Sequence, residues 1–372
     1  MKLLHLVTGS AVLAGAIAAA TAAPPAASIN PLRVSMVAAS AGIADFSGAI
    51  EITVTNTSSR TVRLPRWQLP SDFLQAELFT VSRDGRAVEY AGPMIKRGLP
   101  RAADFAVLRA GESYRAVVDL SAAYDLTRSG QYTVTFNAPL QHASLDGGSM
   151  LTHANGLPMS VRSAPLLLWV DGSDQLGVGT PTSPTASATA RKPGAGGSVV
   201  VGGITYKGCT TTRTSTAGQA VNAARSYSEN AKGYLNAGTV GSRYTTWFGA
   251  YTSSRYGTAK QHFAAIDAAL DQSGGQVTIN CACNQNYYAY VYPNRPYEIF
   301  VCDAFWSAPM TGTDSKAGTL VHEMSHFDVV ANTDDVVYGQ TGAKNLATSN
   351  PTSALNNADN HEYFAENTPA GN

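Results

Sequence analysis

The chain has 372 residues, 44% of them apolar and 14% charged, and its basic and acidic residues cancel to a formal net charge of zero. That length suits two domains, or one domain behind a long leading segment. Sparse, balanced charge argues against a nucleic-acid or anionic-membrane ligand, and the apolar share is ample for packed cores.

Residues 1–23 read as a secretory signal peptide. Lys2 gives a short basic start, Leu3 to Ala20 an apolar run of small residues, and Ala20-Thr21-Ala22 a cleavage site. The run is short for an anchor and no basic stop-transfer flank follows, so the protein is expected to be secreted, with no membrane attachment after processing. Residues 24–170 read as an all-β, sandwich-like module. Ile50, Ile52 and Val54 alternate with Glu51, Thr53 and Thr55, and Tyr114, Ala116, Val118 and Tyr132, Val134, Phe136 show the same period of two. His142 and His153 are isolated there and read as surface histidines. Residues 171–204, rich in Gly, Ser, Thr, Pro and Ala, cannot bury a core and are expected to form a flexible linker that contains the maturation site.

Residues 205–372 form the second module. Helical spacing runs through Ala217 to Leu235 and Thr258 to Leu270, short strands through Gln276–Asn280, Tyr287–Tyr292 and Glu298–Cys302, and further helices lie near 315–328, 340–348, 351–358 and 360–366. This pattern predicts an α+β domain. All four cysteines fall here, and export favours disulfides. Cys281 and Cys283, two apart on an apparent strand, are poorly placed to bond each other, which leaves two pairings with Cys209 and Cys302 open.

The chemistry concentrates in His322-Glu323-Met324-Ser325-His326. Two histidines four apart share one helix face and can bind one zinc ion, with Glu323 beside the open position as a general base toward water activated by the metal. A helix with two surface histidines and an acid is the bland alternative. The third ligand must come from farther on. Val329 and Asn332 stand where a metzincin needs Gly and His, so that class is excluded. Glu362 and Glu366 could serve by distance, as in gluzincins. Asp328 follows on the same helix and faces away. Asp334 or Asp335 can reach the ion if the chain turns back at Asn332-Thr333, where Asn tolerates left-handed geometry.

The run resembles the aspzincin metalloendopeptidases, the deuterolysin family, and within it the peptidyl-Lys metalloendopeptidases. The likeness covers nearly all of 205–372, including Thr205-Tyr206-Lys207-Gly208-Cys209, Arg243-Tyr244-Thr245-Thr246-Trp247-Phe248-Gly249, Ala289-Tyr290-Val291-Tyr292-Pro293-Asn294-Arg295, Thr311-Gly312-Thr313-Asp314-Ser315 and Asn357-Ala358-Asp359-Asn360-His361-Glu362-Tyr363-Phe364. The resemblance implies a zincin-like catalytic domain with one zinc per chain held by His322, His326 and Asp335. Glu323 is then the base and Tyr338 a hydrogen-bond donor to the oxyanion. Asp334 is second choice as ligand. Asn332 replaces the family's usual Gly, which bears on the turn more than on the chemistry. The resemblance also implies the disulfides Cys209–Cys281 and Cys283–Cys302, and a mature start near Thr205.

By the same resemblance Asp359 and Glu362 form a pocket for the lysine that follows the scissile bond. Paired carboxylates suit one ammonium, and a pocket shaped for a point charge can reject arginine. On spacing alone, Asp359 to Glu362 equally reads as a helix capping box. His361 between them reads as structural. The aromatic strand Tyr287–Tyr292 suits a substrate-binding edge or plain core.

Lysine-containing proteins or peptides are thus the expected substrates of a monomeric enzyme. The cysteine-free N-terminal module is expected to aid folding or to block the cleft by steric cover, with self-processing before Lys192 in Arg191-Lys192. Three other readings are an aspzincin of broader specificity, a secreted two-module binding protein with an inactive protease domain, and an enzyme whose β-module stays attached to bind surface glycans or protein.

Overall fold

A computed structural model describes residues 30–39, 48–172, 197–368 and 370–371. The expected signal peptide, most of the expected linker and Arg191-Lys192 lie outside the described residues. The N-terminal module is strand-rich. Leu32–Ala38, Ala49–Asn56 and Ser113–Asp119 form one antiparallel sheet, and Ala49–Asn56 buries Ile50, Ile52 and Val54 on one face as the alternation predicts. The ten-residue strand Gly130–Pro139 is the hub of another, pairing with Phe79–Arg83, Ser160–Arg162 and Leu166–Val170. Four shorter strands, Ser149–Met150, Ser144–Leu145, Val62–Pro65 and Phe105–Leu108, make a third. One strand of this module, Met94–Lys96, pairs elsewhere.

The second module mixes helices with a six-stranded sheet. Its strand order is Ser198–Val201, Ile204–Lys207, Thr278–Asn280, Glu298–Val301, Ala289–Val291 and Met94–Lys96. The three strands Ile204–Lys207, Thr278–Asn280 and Glu298–Val301 run parallel, and the outer pairings are antiparallel. The last strand belongs to the N-terminal module, so the two modules share one sheet.

The expected linker ends sooner than its composition suggests. Val199, Val200 and Val201 are β-branched, and Gly202 and Gly203 adopt φ +58° and +79°, which a two-residue hairpin turn requires. Ser198–Val201 therefore pairs with Ile204–Lys207 instead of staying in the linker.

The helices Thr211–Asn236 and Ser253–Leu270 start where Thr210 and Thr252 cap them, and they pack small or apolar faces (Ala217, Ala220, Ala224; Ala259, Phe263, Ile266) into the core. Truncating buried Phe263 to Ala would cost about 3–5 kcal/mol. Among the described residues, Ser242–Phe248 and Asp303–Ser307 are helices that the spacing did not reveal. Disulfides join Cys209 to Cys281 and Cys283 to Cys302. No described helix is long and apolar enough to cross a membrane.

Candidate active site

The helix Lys316–His326 begins at Ser315, whose hydroxyl accepts from Gly318 N at 2.9 Å. Glu366 completes this start by accepting from Ser315 N at 2.9 Å and Ser315 Oγ at 2.8 Å. The approach leaves no room at Gly318, where a Cβ would lie 2.1 Å from Glu366 Oε1. Glu366 is thus committed to the helix start, not to a metal. Every residue of the helix is buried, so its histidines and Glu323 sit in a water-poor interior.

After Phe327 the chain turns back through Asn332, which takes φ +48°, the left-handed geometry expected of it. Thr333 N donates to Ser325 O at 3.1 Å, and Thr333 O accepts from His326 Nδ1 at 2.6 Å. The two acids that follow are sorted by their partners. Asp334 turns to Asn356, whose Nδ2 it accepts at 2.5 Å. Asp335 turns to the histidines, its Oδ1 lying 3.2 Å from His322 Nε2 and 3.5 Å from His326 Nε2. Asp328 is exposed and lies past the end of the helix, not on it as expected, since the helix stops at His326 with Phe327 as its cap.

This donor set fits a zinc ion. Ligand atoms about 2.0–2.1 Å from a tetrahedral zinc lie about 3.3–3.4 Å from one another, close to the spacing found. His322 Nε2, His326 Nε2 and Asp335 Oδ1 are buried without hydrogen-bond partners, as are both carboxylate oxygens of Glu323. Buried polar atoms are rarely left so. Donation from His326 Nδ1 to Thr333 O leaves the Nε2 lone pair free. His322 Nδ1 lies 2.9 Å from Asp359 Oδ1, close but not aligned as a hydrogen bond. Burial works against ionising Asp335, but His326 and His322 outweigh it and hold the carboxyl well below the usual carboxylate range. Burial pushes Glu323 up to about 7, in the range that suits proton transfer at neutral pH.

The second cluster sits against the first. The helix Ala358–Glu366 starts at Asn357, not Asp359, so the capping-box reading fails. Asn357 Oδ1 instead accepts from Val336 N and Val337 N at 2.9 and 3.1 Å, tying the Asp335 loop to this helix. Asp359 lies in the first turn, where its Oδ2 accepts from Gly339 N at 2.6 Å. Glu362, one turn on, faces the same space.

That space holds the ammonium of Lys96. Its Nζ is 2.5 Å from Glu362 Oε2, 3.5 Å from Asp359 Oδ1 and 3.9 Å from Asp314 Oδ1. The Tyr288 and Tyr363 rings lie 5.4 and 6.0 Å from it. Burial works against the charge, but Asp359, Glu362 and Asp314 outweigh it and raise Lys96 well above an ordinary lysine. Tyr338 Oη donates to Ile95 O at 3.0 Å, one residue before that lysine. His361 bonds Asn357 O and the His262 ring, both at 3.0 Å, and burial pushes it down to about 3, as fits a structural residue.

The structure thus brings His322, Glu323, His326, Asp335, Tyr338, Asp359 and Glu362 together. The sequence reading missed Asp314, Tyr363 and Lys96. Asp314 and Tyr363 lay inside the quoted family-like runs and could have been found there. Lys96 carried no local signal.

A family model described as Lysine-specific metallo-endopeptidase (Aspzincin_M35) matches residues 234–366. The chain is 42% identical over 325 residues to the Extracellular protease of Aeromonas hydrophila, covering 87% of this chain and 89% of that one. It is 36% identical over 332 residues to the Peptidyl-Lys metalloendopeptidase of Grifola frondosa, covering 86% and 87%. Among solved structures it is similar to a zinc peptidase from Grifola frondosa, at 46% identity and a TM-score of 0.42, covering 44% of this chain and 100% of the other.

Proposed function

Because the chain belongs to the aspzincin family of lysine-specific metallo-endopeptidases, we propose that it is a secreted zinc enzyme that cuts peptide bonds on the amino side of lysine. The metallo-endopeptidase activity follows from the family. The observation that carries the lysine preference is an ammonium held between Glu362 and Asp359 beside the histidine cluster. Export rests on the leading apolar segment and on the relative named an extracellular protease.

His322, His326 and Asp335 would hold one zinc ion per monomeric chain. When bound, zinc supplies a Lewis acid that acidifies a water and polarises a peptide carbonyl. Glu323 accepts a proton from the attacking water and returns it to the departing amine. Tyr338 Oη donates to the carbonyl oxygen as negative charge builds on it. Thr333 fixes the orientation of His326, and Asp359 faces both His322 and the substrate ammonium, coupling lysine recognition to the metal site.

The strand-rich N-terminal module is read as sandwich-like, since its strands bury alternate residues in a shared core, and as a cover for the cleft. Release by self-processing before Lys192 is part of this reading. A Glu323→Ala chain still trimmed there would overturn that part.

The test is digestion of a defined protein mixture by the matured protein, with and without chelator, with cut sites mapped by mass spectrometry. Chelator-sensitive cuts before lysine are expected. Chelator-sensitive cuts without regard to lysine would leave an aspzincin of broader specificity. No cuts from a trimmed, zinc-loaded protein would favour the inactive binding module.

A further inference from the structure

The strand Met94–Lys96 is an unusual piece of the N-terminal module. It leaves that module's own sheets and adds to the edge of another. We propose that it is a built-in substrate analogue, holding Ile95–Lys96 where a substrate's scissile bond lies, so that the uncut chain is silenced by its own lysine. The proposal rests on the lysine-pocket reading and adds the ligand, its direction and its register.

Three contacts fix that register. The strand runs antiparallel to Ala289–Val291, with Lys96 opposite Ala289, Ile95 opposite Tyr290 and Met94 opposite Val291. Tyr288 N also donates to Lys96 O at 3.0 Å. This is edge-strand addition, the mode by which extended peptides are held through their backbone. The carbonyl that Tyr338 Oη meets belongs to Ile95, the residue before the lysine. Cleavage on the amino side of Lys96 would attack that carbonyl. The side chain that enters the acid pocket is Lys96 itself. A one-residue slip would send a different side chain to the pocket and turn Lys96 to the opposite face. A lysine recruited only to neutralise two acids would need the third contact, but not the other two.

The flanks show why the strand stays. Tyr90 Oη donates to Pro93 O at 3.3 Å. Arg97 donates to Gln75 O at 2.9 Å and stacks over Trp67 at 5.0 Å within its own module, and over Tyr287 at 5.4 Å across the boundary. Gln141 clamps the Tyr338 backbone from the other side, donating to Tyr338 O at 2.9 Å and accepting from Tyr338 N at 3.0 Å. A segment anchored at both ends does not diffuse away, so its effective concentration at the cleft stays high.

Two measurements on the full, untrimmed chain test this. In an inert Glu323→Gln chain, brief amine acylation read residue by residue should label Lys96 at least tenfold more slowly than exposed Lys260. In an active chain kept whole by Lys192→Ala, with its length checked by gel, Lys96→Ala should raise cleavage of an added lysine peptide at least fiftyfold over the Lys192→Ala parent, with Lys96→Met as the variant that keeps the stem if the alanine form misfolds. Labelling of Lys96 as fast as Lys260, or a folded Lys96 variant as silent as the parent, overturns the proposal. Cut-site mapping with the matured protein separates this from the specificity reading. Indifference to lysine there overturns the reading on which the proposal rests. Lysine preference there, with a silent Lys96→Ala chain, overturns the proposal alone.

Discussion

Glu362 and Asp359 both face the lysine ammonium, but their surroundings assign them different work, and substitution in the matured protein should separate the two. Glu362 Oε2 lies 2.5 Å from Nζ of Lys96, and the two side chains are 0% and 2% exposed. Removing one partner of so buried a pair costs about 3–5 kcal/mol. At about 1.4 kcal/mol per tenfold, Glu362→Gln should lower kcat/KM for a lysine peptide by roughly two to three and a half powers of ten. A matched norleucine peptide should change by less than about threefold, since glutamine keeps the shape and uncharged substrates never used the charge. Asp359→Asn should lose lysine preference too, but Asp359 also faces His322 Nδ1 at 2.9 Å. Its loss should therefore weaken metal affinity by about 10–100-fold and depress both peptides at limiting zinc. Added zinc should restore the norleucine rate only. The assay is steady-state cleavage of the peptide pair across a zinc titration. An unchanged lysine-to-norleucine ratio in Glu362→Gln would refute the pocket.

Other predictions are simpler. Glu323→Gln should cost about 10²–10⁴ in kcat while zinc content, read by elemental analysis, stays at the parent's level. Tyr338→Phe should lower kcat about 10²–10³-fold with KM little altered, and an unchanged kcat would remove it from the oxyanion role. Chelation should abolish activity and zinc should restore it, checked by dialysis and reloading. His262 and His361 are pushed down by burial to about 4 and about 3, so the folded chain refuses protons that the unfolded chain takes up below about pH 6.5. Their contribution to stability is complete above that pH and is lost as pH falls toward 4. Relative to a His262→Leu/His361→Phe double variant, the parent's urea midpoint should fall between pH 7 and 4.5, and parallel curves would contradict the burial argument.

The legible parts of the site are those set by short spacings. His322 and His326 follow from helix geometry, and an Asn at the turn brings the chain back toward them, but the turn left Asp334 and Asp335 both open and only the family resemblance pointed to Asp335. The pocket helix was legible, but its first residue was not. Asp359 mimics an N-cap by composition, whereas Asn357 starts the helix, with its side chain given to the Val336–Val337 backbone. Ser198–Val201 was hidden by small flanking residues, because its strand character needs a partner already in place. The short helix Ser242–Phe248 has no side-chain cap to announce it. Lys96 was beyond reach for a deeper reason. Its partner Glu362 is 266 residues away, and nothing in Met94-Ile95-Lys96-Arg97 indicates that the strand leaves its own module.

The shared sheet also bears on how the mature enzyme comes into being. Both outermost strands, Met94–Lys96 at one side and Ser198–Val201 at the other, precede Thr205. Trimming back to Thr205, the start that the family resemblance implies, and departure of the N-terminal piece would leave a sheet of four strands with two raw edges, whereas a cut before Lys192 alone would keep Ser198–Val201 in place. At Ala289–Val291 the bared edge is where an incoming peptide would dock. At Ile204–Lys207 it is a hazard, a template for sticking to other chains that Lys207 only partly blunts. The departing piece is therefore also a pair of hems, and the chain should refold with less aggregation before that trimming than after it, as light scattering of the two forms at equal concentration would show.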